Sequence, residues 1–490
     1  MRKSGRFLRP ILAPLLRSGL GSVLFSALLC SIPSKAICQL AAAADAESVL
    51  KLAIGDGKAD DTEAIQQAID NGVSSISLSP GRYRLTRPLI VDLDKSGFVS
   101  FSGNGVATLV MQGAGPAIRF VGTHQGTADP HTFKKNVWER QRAPMIDGIE
   151  ILGEHPEAVG VEADGTMQLT LTRMVVRNVL HGIRLTKRNR NVLIADCHVY
   201  ENRGVGIYLD AVDLHQINVN ACHISYNEQG GIVSRQGNVR NLHISGCDIE
   251  SNMSPATPPT ANILIDCTES LSGTAEVAIT GCTIQHNSKS KDSANIRMIG
   301  HGIAKGVHPV VRWGNVAITG NVLSDVATNI HLDGCRGITL QGNTIWMGYD
   351  HNLLVENCSN IVIGPNNLDR NPRYDYGNAA QSKNSVLFRN CEDCTIQGLH
   401  VSHVHESTAG IEFDRCRRFN VSSCTILDCD GPGILLRNVS QSLITGCMIR
   451  DDRVSRVSSP SLRIEAGQEN TFSNNVLAHG SETPPNSIAR

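Results

Sequence analysis

The stretch from Asn329 to Asn367 states one phrase twice, at an interval of 23 residues. Asn329-Ile330-His331-Leu332-Asp333-Gly334-Cys335 returns as Asn352-Leu353-Leu354-Val355-Glu356-Asn357-Cys358. Each copy is followed by a short apolar run, Ile338-Thr339-Leu340 and then Ile361-Val362-Ile363, and by an Asn-bearing turn. A repeat of 20 to 50 residues belongs to a solenoid, propeller or array. The apolar residues alternate in runs of three or four, which is strand rather than helix periodicity. Short strands with tight turns cannot bury an apolar side alone, whereas stacking on equivalent neighbours makes one continuous core. The phrase therefore reads as one coil of a parallel β-helix.

The same pair of inward positions recurs thirteen times, from Ile118 and Phe120, through Ile183 and Leu185, Ile263 and Ile265, Ile330 and Leu332, to Leu462 and Ile464. At about 4.8 Å per strand step, such a rod is roughly 58 Å long. After each core strand the pattern predicts a second short strand, a turn marked by Asn or Cys, and a third strand. Asn321, Asn343 and Asn475 take that turn in some coils, and Cys197, Cys222, Cys247, Cys282, Cys424 and Cys447 take it in others. Of 15 Cys in the chain, these and the equivalent pair Cys335 and Cys358 sit where a small buried apolar residue fits. Free thiols are expected, although an exported chain would ordinarily oxidise them.

Export is expected from the start of the chain. Arg2, Lys3, Arg6, Arg9 and Arg17 precede an apolar run from Gly19 to Cys30 and small residues through Ala44, the order of a secretory signal peptide. The reading divides the chain into a leader, 1–44, an N-terminal cap, 45–116, the β-helix, 117–480, and a disordered tail, 481–490. The product is secreted, periplasmic or held in the cell envelope. Lys plus Arg number 45 against 46 acidic residues, so no net field favours nucleic acid or an anionic membrane.

In the cap, Gly55-Asp56-Gly57-Lys58-Ala59-Asp60-Asp61-Thr62-Glu63-Ala64-Ile65-Gln66-Gln67-Ala68-Ile69-Asp70 predicts a helix capped by Asp61 or Thr62, with Ala64, Ile65, Ala68 and Ile69 on one face. Together with Ile76-Ser77-Leu78-Ser79-Pro80-Gly81-Arg82-Tyr83-Arg84-Leu85, this segment resembles the opening module of the pectate lyase superfamily. That group includes pectate lyase-like, polygalacturonase-like and phage tailspike-like proteins. The resemblance implies an all-β, single-stranded right-handed parallel β-helix with a short N-terminal capping helix, an asparagine ladder in the turns, and a polysaccharide ligand.

Period-2 alternation sends the other residues of each core strand outward in two columns. One reads Asp164, Thr186, Asp210, Arg235, Asp266, Ile299, Asp333, Glu356, Arg389, Asp414, Arg437, Glu465. Alternating signs on stacked strands make a cross-strand ladder, and Asp333 followed by Glu356 breaks it. Like charges one strand apart persist when a cation binds them, when one is protonated, or when Arg389 offsets them. The other column adds Arg297 and His331 beside that pair, with Arg184 and Tyr208 further along. Arg297, His331, Asp333 and Glu356 are the catalytic candidates. Arg184, Tyr208, Asp210, Arg235, Asp266 and His301 are the substrate-binding candidates, and Asp333 with Glu356 is a candidate Ca²⁺ site.

Two enzyme classes fit. In a lyase, Ca²⁺ on Asp333 and Glu356 neutralises a uronate while Arg297 or His331 takes the adjacent proton. In a hydrolase, the two carboxyls share general acid and nucleophile or base roles, and a short separation favours retention. Epimerase-like chemistry is a third possibility, since Asp129-Pro130-His131 resembles an element of alginate epimerase-like β-helices. Of the polygalacturonase-like motifs only Gly300-His301-Gly302 is present, after its core strand rather than before it. An acidic polysaccharide is the expected substrate. The alternative is a noncatalytic envelope or adhesion rod with glycan-binding sites. Insertions at 122–143, 252–261, 300–315 and 368–384 are expected to wall one face.

Overall fold

A computed structural model describes residues 52–303, 310–371, 373, 378–454 and 458–483. The proposed leader lies outside the described residues, as do 484–490 and parts of the insertions at 300–315 and 368–384.

The chain winds into stacked parallel strands forming three faces. On the first face the ladder is unbroken from Leu89–Asp92, through Gly115–Val121 and each strand predicted from the core pairs, to Ser481–Glu482. Every neighbour relation inferred from the repeat is present: Ile330 stands on Leu353, Leu332 on Val355 and Asp333 on Glu356. Leu332 and Val355 are both fully buried. The ladder also extends beyond the expected bounds. Leu89–Asp92 begins it before residue 117, and Ser481 and Glu482 pair with Leu462 and Arg463 at its end.

One apolar cluster fills the rod from Ile65 to Ile464. The inward pairs supply it from the first face, and Ile, Leu and Val of the other two faces close it. The helix Thr62–Asp70 covers one end, burying Ile65, Ala68 and Ile69. Gln66 ties the helix to the outermost strand: its Nε2 donates to the Ile90 carbonyl at 3.0 Å and its Oε1 accepts from the Ile90 amide at 2.8 Å. A side-chain amide thus occupies backbone groups that would otherwise form an open sheet edge. The expected side-chain cap is not made. Asp61 precedes the helix, but its carboxylate accepts the Ile54 amide at 2.7 Å and so anchors the preceding strand instead.

The asparagine ladder exists, and a longer one runs beside it. Asn321, Asn343 and Asn366 bond amide to carbonyl at 3.0 and 2.8 Å. At the entrance to the first face, Asn202, Asn227, Asn252, Asn262, Asn295, Asn329 and Asn352 form a continuous chain of such bonds at 2.7 to 2.9 Å. All seven are buried. A buried amide is tolerated only when both its donor and its acceptor are used, and stacking identical coils supplies both. All thirteen described cysteines are free and buried. Burial pushes Cys267, Cys394 and Cys429 up to about 12, consistent with packing rather than reactive thiols. Among the described residues no helix is long and apolar enough to cross a membrane.

Candidate functional site

The outward side of the first face carries a cleft of about 680 Å³. Its floor is strand, because alternation turns Arg297, Ile299, His331 and Asp333 outward while Ile296, Met298, Ile330 and Leu332 pack in. Its walls come from segments that interrupt the coils, at Pro259, Asp292, Lys383 and the run Glu406-Ser407-Thr408, and from Asp350 of the strand Gly348–Glu356. Leu264, Ala327, Leu354 and Leu387 make the apolar part of the lining.

Five expected residues meet in this cleft: Arg235, Asp266, Arg297, His331 and Asp333. Glu356 does not line it. Its Oε2 is 3.3 Å from His331 Nε2, and its Oε1 accepts from Arg389 at 3.0 Å. The hydrogen bond from His331, with Arg389 beside it, holds the Glu356 carboxyl below its ordinary range against the opposing cost of burial. His301 also stands outside the lining, with Nε2 3.0 Å from Asp333 Oδ1.

Arg184, Tyr208 and Asp210 lie further along the rod and do not join the cleft. Arg184 bridges Asp210 and Glu162 at 2.5 and 3.1 Å, a structural pairing between adjacent coils. Tyr208 packs on His181, with ring centroids 5.1 Å apart. Asp129-Pro130-His131 is a turn in which Asp129 accepts the His131 amide at 3.0 Å, so its residue types serve local geometry. The charge ladder behaves as expected elsewhere: Arg389 reaches both Glu356 and Asp414, and Arg437 reaches Glu465 at 3.0 Å.

Arg297 is the most constrained cation in the cleft. It is 8% exposed. Its Nε donates to His331 Nδ1 at 3.1 Å, its Nη1 to the Thr260 carbonyl at 3.2 Å and its Nη2 to the Asp292 carbonyl at 2.6 Å. Burial lowers its pKa, and among the described residues it forms no ion pair. A guanidinium only donates, so His331 Nδ1 accepts and the ring proton sits on Nε2, directed at Glu356. Arg297 thereby sets the tautomer of His331, and Glu356 holds its other side.

The carboxylates divide by their partners. Asp333 Oδ1 is engaged by His301 and by Asn357 Nδ2 at 2.8 Å, and among the described residues nothing bonds its Oδ2. Asp266 Oδ1 accepts from the amide and hydroxyl of Thr268 at 3.0 and 2.7 Å, leaving Oδ2 with only Arg235 at 3.9 Å. In register, Asp266 stands on Ile299 and Ile299 on Asp333. The two aspartates are therefore two strand steps apart, about 9.6 Å. The pair expected to hold Ca²⁺ does not fit that ion, since both Glu356 oxygens already face cationic or N–H donors. Among the described residues no group of three or more His, Cys, Asp or Glu is placed to hold a metal.

Several lining residues were not singled out from the sequence. Glu412 could have been, because it occupies the same outward column as Arg297 and His331 and reaches Arg437 at 3.2 Å. Asp292, Lys383 and Glu406 stand on irregular segments, where alternation gives no signal. His351 lies within the strand Gly348–Glu356, its Nδ1 3.1 Å from Ser385 Oγ, and burial lowers its pKa.

A family model described as a right-handed β-helix region matches residues 154–284 and 376–483. The chain folds as a right-handed parallel β-helix. No curated protein matches it. Among solved structures, this β-helix is similar to the pre-mature gene product 12 of bacteriophage phi29, at 14% identity and TM-score 0.56, over 93% of this chain and 58% of that one. It is also similar to a tailspike protein of Escherichia coli bacteriophage HK620 in complex with a hexasaccharide, at 12% identity and TM-score 0.52, over 86% of this chain and 77% of that one. The Dettilon tailspike is 15% identical with TM-score 0.48, over 88% of this chain, which spans 66% of that protein's length.

The cleft of this β-helix has a distinct charge balance. Six carboxylates line it (Asp266, Asp292, Asp333, Asp350, Glu406 and Glu412) against three permanent cations, Arg235, Arg297 and Lys383. A polyanion is favoured by the reverse excess.

Proposed function

We propose that the cleft on the first face binds a neutral or sparsely charged polysaccharide and hydrolyses it, with Asp266 and Asp333 as the paired carboxyls. The observation that carries this reading is their placement. Both line one cleft, two coils apart across uncharged Ile299, and each keeps an oxygen with no hydrogen-bond partner among the described residues. Strands about 9.6 Å apart let the two carboxyls converge to a separation that leaves room for a water beside the sugar, which favours inversion. One carboxyl gives its proton to the departing glycosidic oxygen as the bond to the anomeric carbon breaks. The other takes a proton from the water that attacks the opposite side of that carbon. Arg297, His331 and Glu356 brace the floor beside them. The lining offers charged groups and aliphatic side chains, so sugar recognition would rest on hydrogen bonds to hydroxyls. The tailspike solved with a hexasaccharide supports a glycan ligand on a rod of this kind, and the basic residues followed by the apolar run from Gly19 to Cys30 support export.

A second reading is β-elimination on an acidic polymer. It is favoured by Arg297, a buried guanidinium beside His331 with no ion pair among the described residues, which would neutralise a uronate carboxylate.

One experiment separates the readings. The protein is incubated with neutral and acidic polysaccharides, with and without calcium, while new reducing ends and ultraviolet-absorbing unsaturated ends are followed in parallel. Hydrolysis predicts reducing ends alone, with inverted configuration, and rates about 10²–10⁴-fold lower in Asp266→Asn and in Asp333→Asn. Unsaturated products would establish elimination instead. Cleavage unaffected by either substitution would place the chemistry elsewhere, and no cleavage of any polymer would leave a binding rod.

A further inference from the structure

The second face of the rod differs in character from the first. Its outward positions include Leu193, Asn218, His243, Ala278, Ala317 and Thr339, in continuous parallel register over about 24 Å. None is an acidic or permanently cationic residue. Two concavities of about 740 and 420 Å³ lie over this face and share Asn241 and His243, so they form one groove. Among their lining residues only Glu276 is acidic or permanently cationic, and Asn241 Nδ2 donates to it at 3.0 Å.

Several polar groups of the groove are unused. Among the described residues, the side-chain amides of Gln168, Gln216 and Asn218 and the imidazole of His243 have no hydrogen-bond partner, and the buried Oδ1 of Asn191 has none either. Turn geometry accounts for part of this set. Asn191 and Asn241 have φ of 53° and 54°, a region that asparagine tolerates well. It does not account for Gln168 and Gln216, at φ of 59° and 67°, nor for Asn218, which lies within a strand. Stacked amides that serve stability bond one another, as Asn202 through Asn352 do inside the same rod. These do not. Donors and acceptors repeating at the strand spacing, without net charge, are complementary to a polymer of neutral hydroxyls.

We infer that this groove is a second, noncatalytic binding site for a neutral glycan chain, on a face separate from the first-face cleft and independent of any chemistry there. It is tested by affinity electrophoresis of the full chain through gels containing dextran, galactomannan or mixed-linkage β-glucan, with alginate as the charged control. The expected result is retardation by at least one neutral polymer, with an apparent Kd raised about tenfold or more in Asn218→Glu and His243→Glu. Both positions are exposed; the milder double variant Asn218→Ala, His243→Ala serves if a charged one fails to fold. The measurement is made on the chain carrying Asp266→Asn and Asp333→Asn to stop turnover and Leu354→Arg to obstruct the cleft, so that retardation by a neutral polymer reports the groove. The proposal is overturned if no neutral polymer retards the protein, if alginate alone does, or if retardation survives the groove substitutions. It is overturned equally if sedimentation shows self-association that those substitutions abolish, since the face would then belong to a second copy.

Discussion

At Glu356 the charge ladder and the cleft compete for one side chain, and the ladder prevails. Its oxygens are divided between His331 and Arg389, and its side chain is 21% exposed. A carboxyl held below its ordinary 4.5 in the folded state contributes stability that is complete above the unfolded value and is lost as pH falls through the lower folded one. Glu356→Gln should therefore cost about 1–2 kcal/mol near neutral pH, as loss of charge-assisted hydrogen bonds does. The deficit should narrow as pH falls below 4.5, where the unfolded chain takes up the proton before the folded one does. Urea denaturation at about pH 7 and about pH 3 measures both. A deficit that is equal at the two values would mean that Glu356 acts through packing alone. Turnover should fall less in Glu356→Gln than in Asp333→Asn, because Glu356 reaches the cleft only through His331.

At the scale of the coil, the stabilising device is the buried amide chain. Asn227 accepts from Asn202 Nδ2 and donates to Asn252 and to the Val199 carbonyl, at 2.7, 2.7 and 3.1 Å. Asn227→Ala removes these bonds and strands buried partners on both sides, so it should destabilise the rod by about 2–4 kcal/mol. Exposed Asn218→Ala should stay within about 0.5 kcal/mol, and thermal unfolding of the two variants side by side checks the contrast. This device was partly legible beforehand: an Asn stands directly before Ile263, Ile296, Ile330 and Leu353. The repeat showed the position without showing that it faces inward. Inward pairs and vertical neighbours followed from alternation alone, because a strand offers only two directions. The cleft was legible where strands build it, at Arg297, His331, Asp333, Arg235 and Asp266, and illegible at Asp292, Lys383 and Glu406, whose segments have no period to follow. Glu356 was assigned to catalysis because register places it beside Asp333, but register does not reveal which partners compete for a side chain.

Over the whole molecule, each coil touches only its neighbours, so stability is a sum of local terms and opening begins where those terms are weakest. The two ends are unequal. The helix Thr62–Asp70 seals one end and occupies backbone groups of the outermost strand through Gln66. At the other, Val476–Leu477 and Ser481–Glu482 are partly or fully exposed, and among the described residues Ser481–Glu482 pairs on one side only, through Leu462 and Arg463. Between them, the long asparagine chain binds the coils from Asn202 to Asn352, and Phe388 stacked on Phe413 at 5.2 Å extends tight packing a little further. Native-state hydrogen exchange should therefore be fastest in 434–482, slower in the helix-capped coils before residue 120, and slowest in 202–352. Asn227→Ala should erase the advantage of the middle coils and leave exchange in 434–482 unchanged, because coils so far apart share no contact. Uniform acceleration along the rod in that variant would instead mean that all the coils open as one cooperative unit, and the nearest-neighbour description would fail.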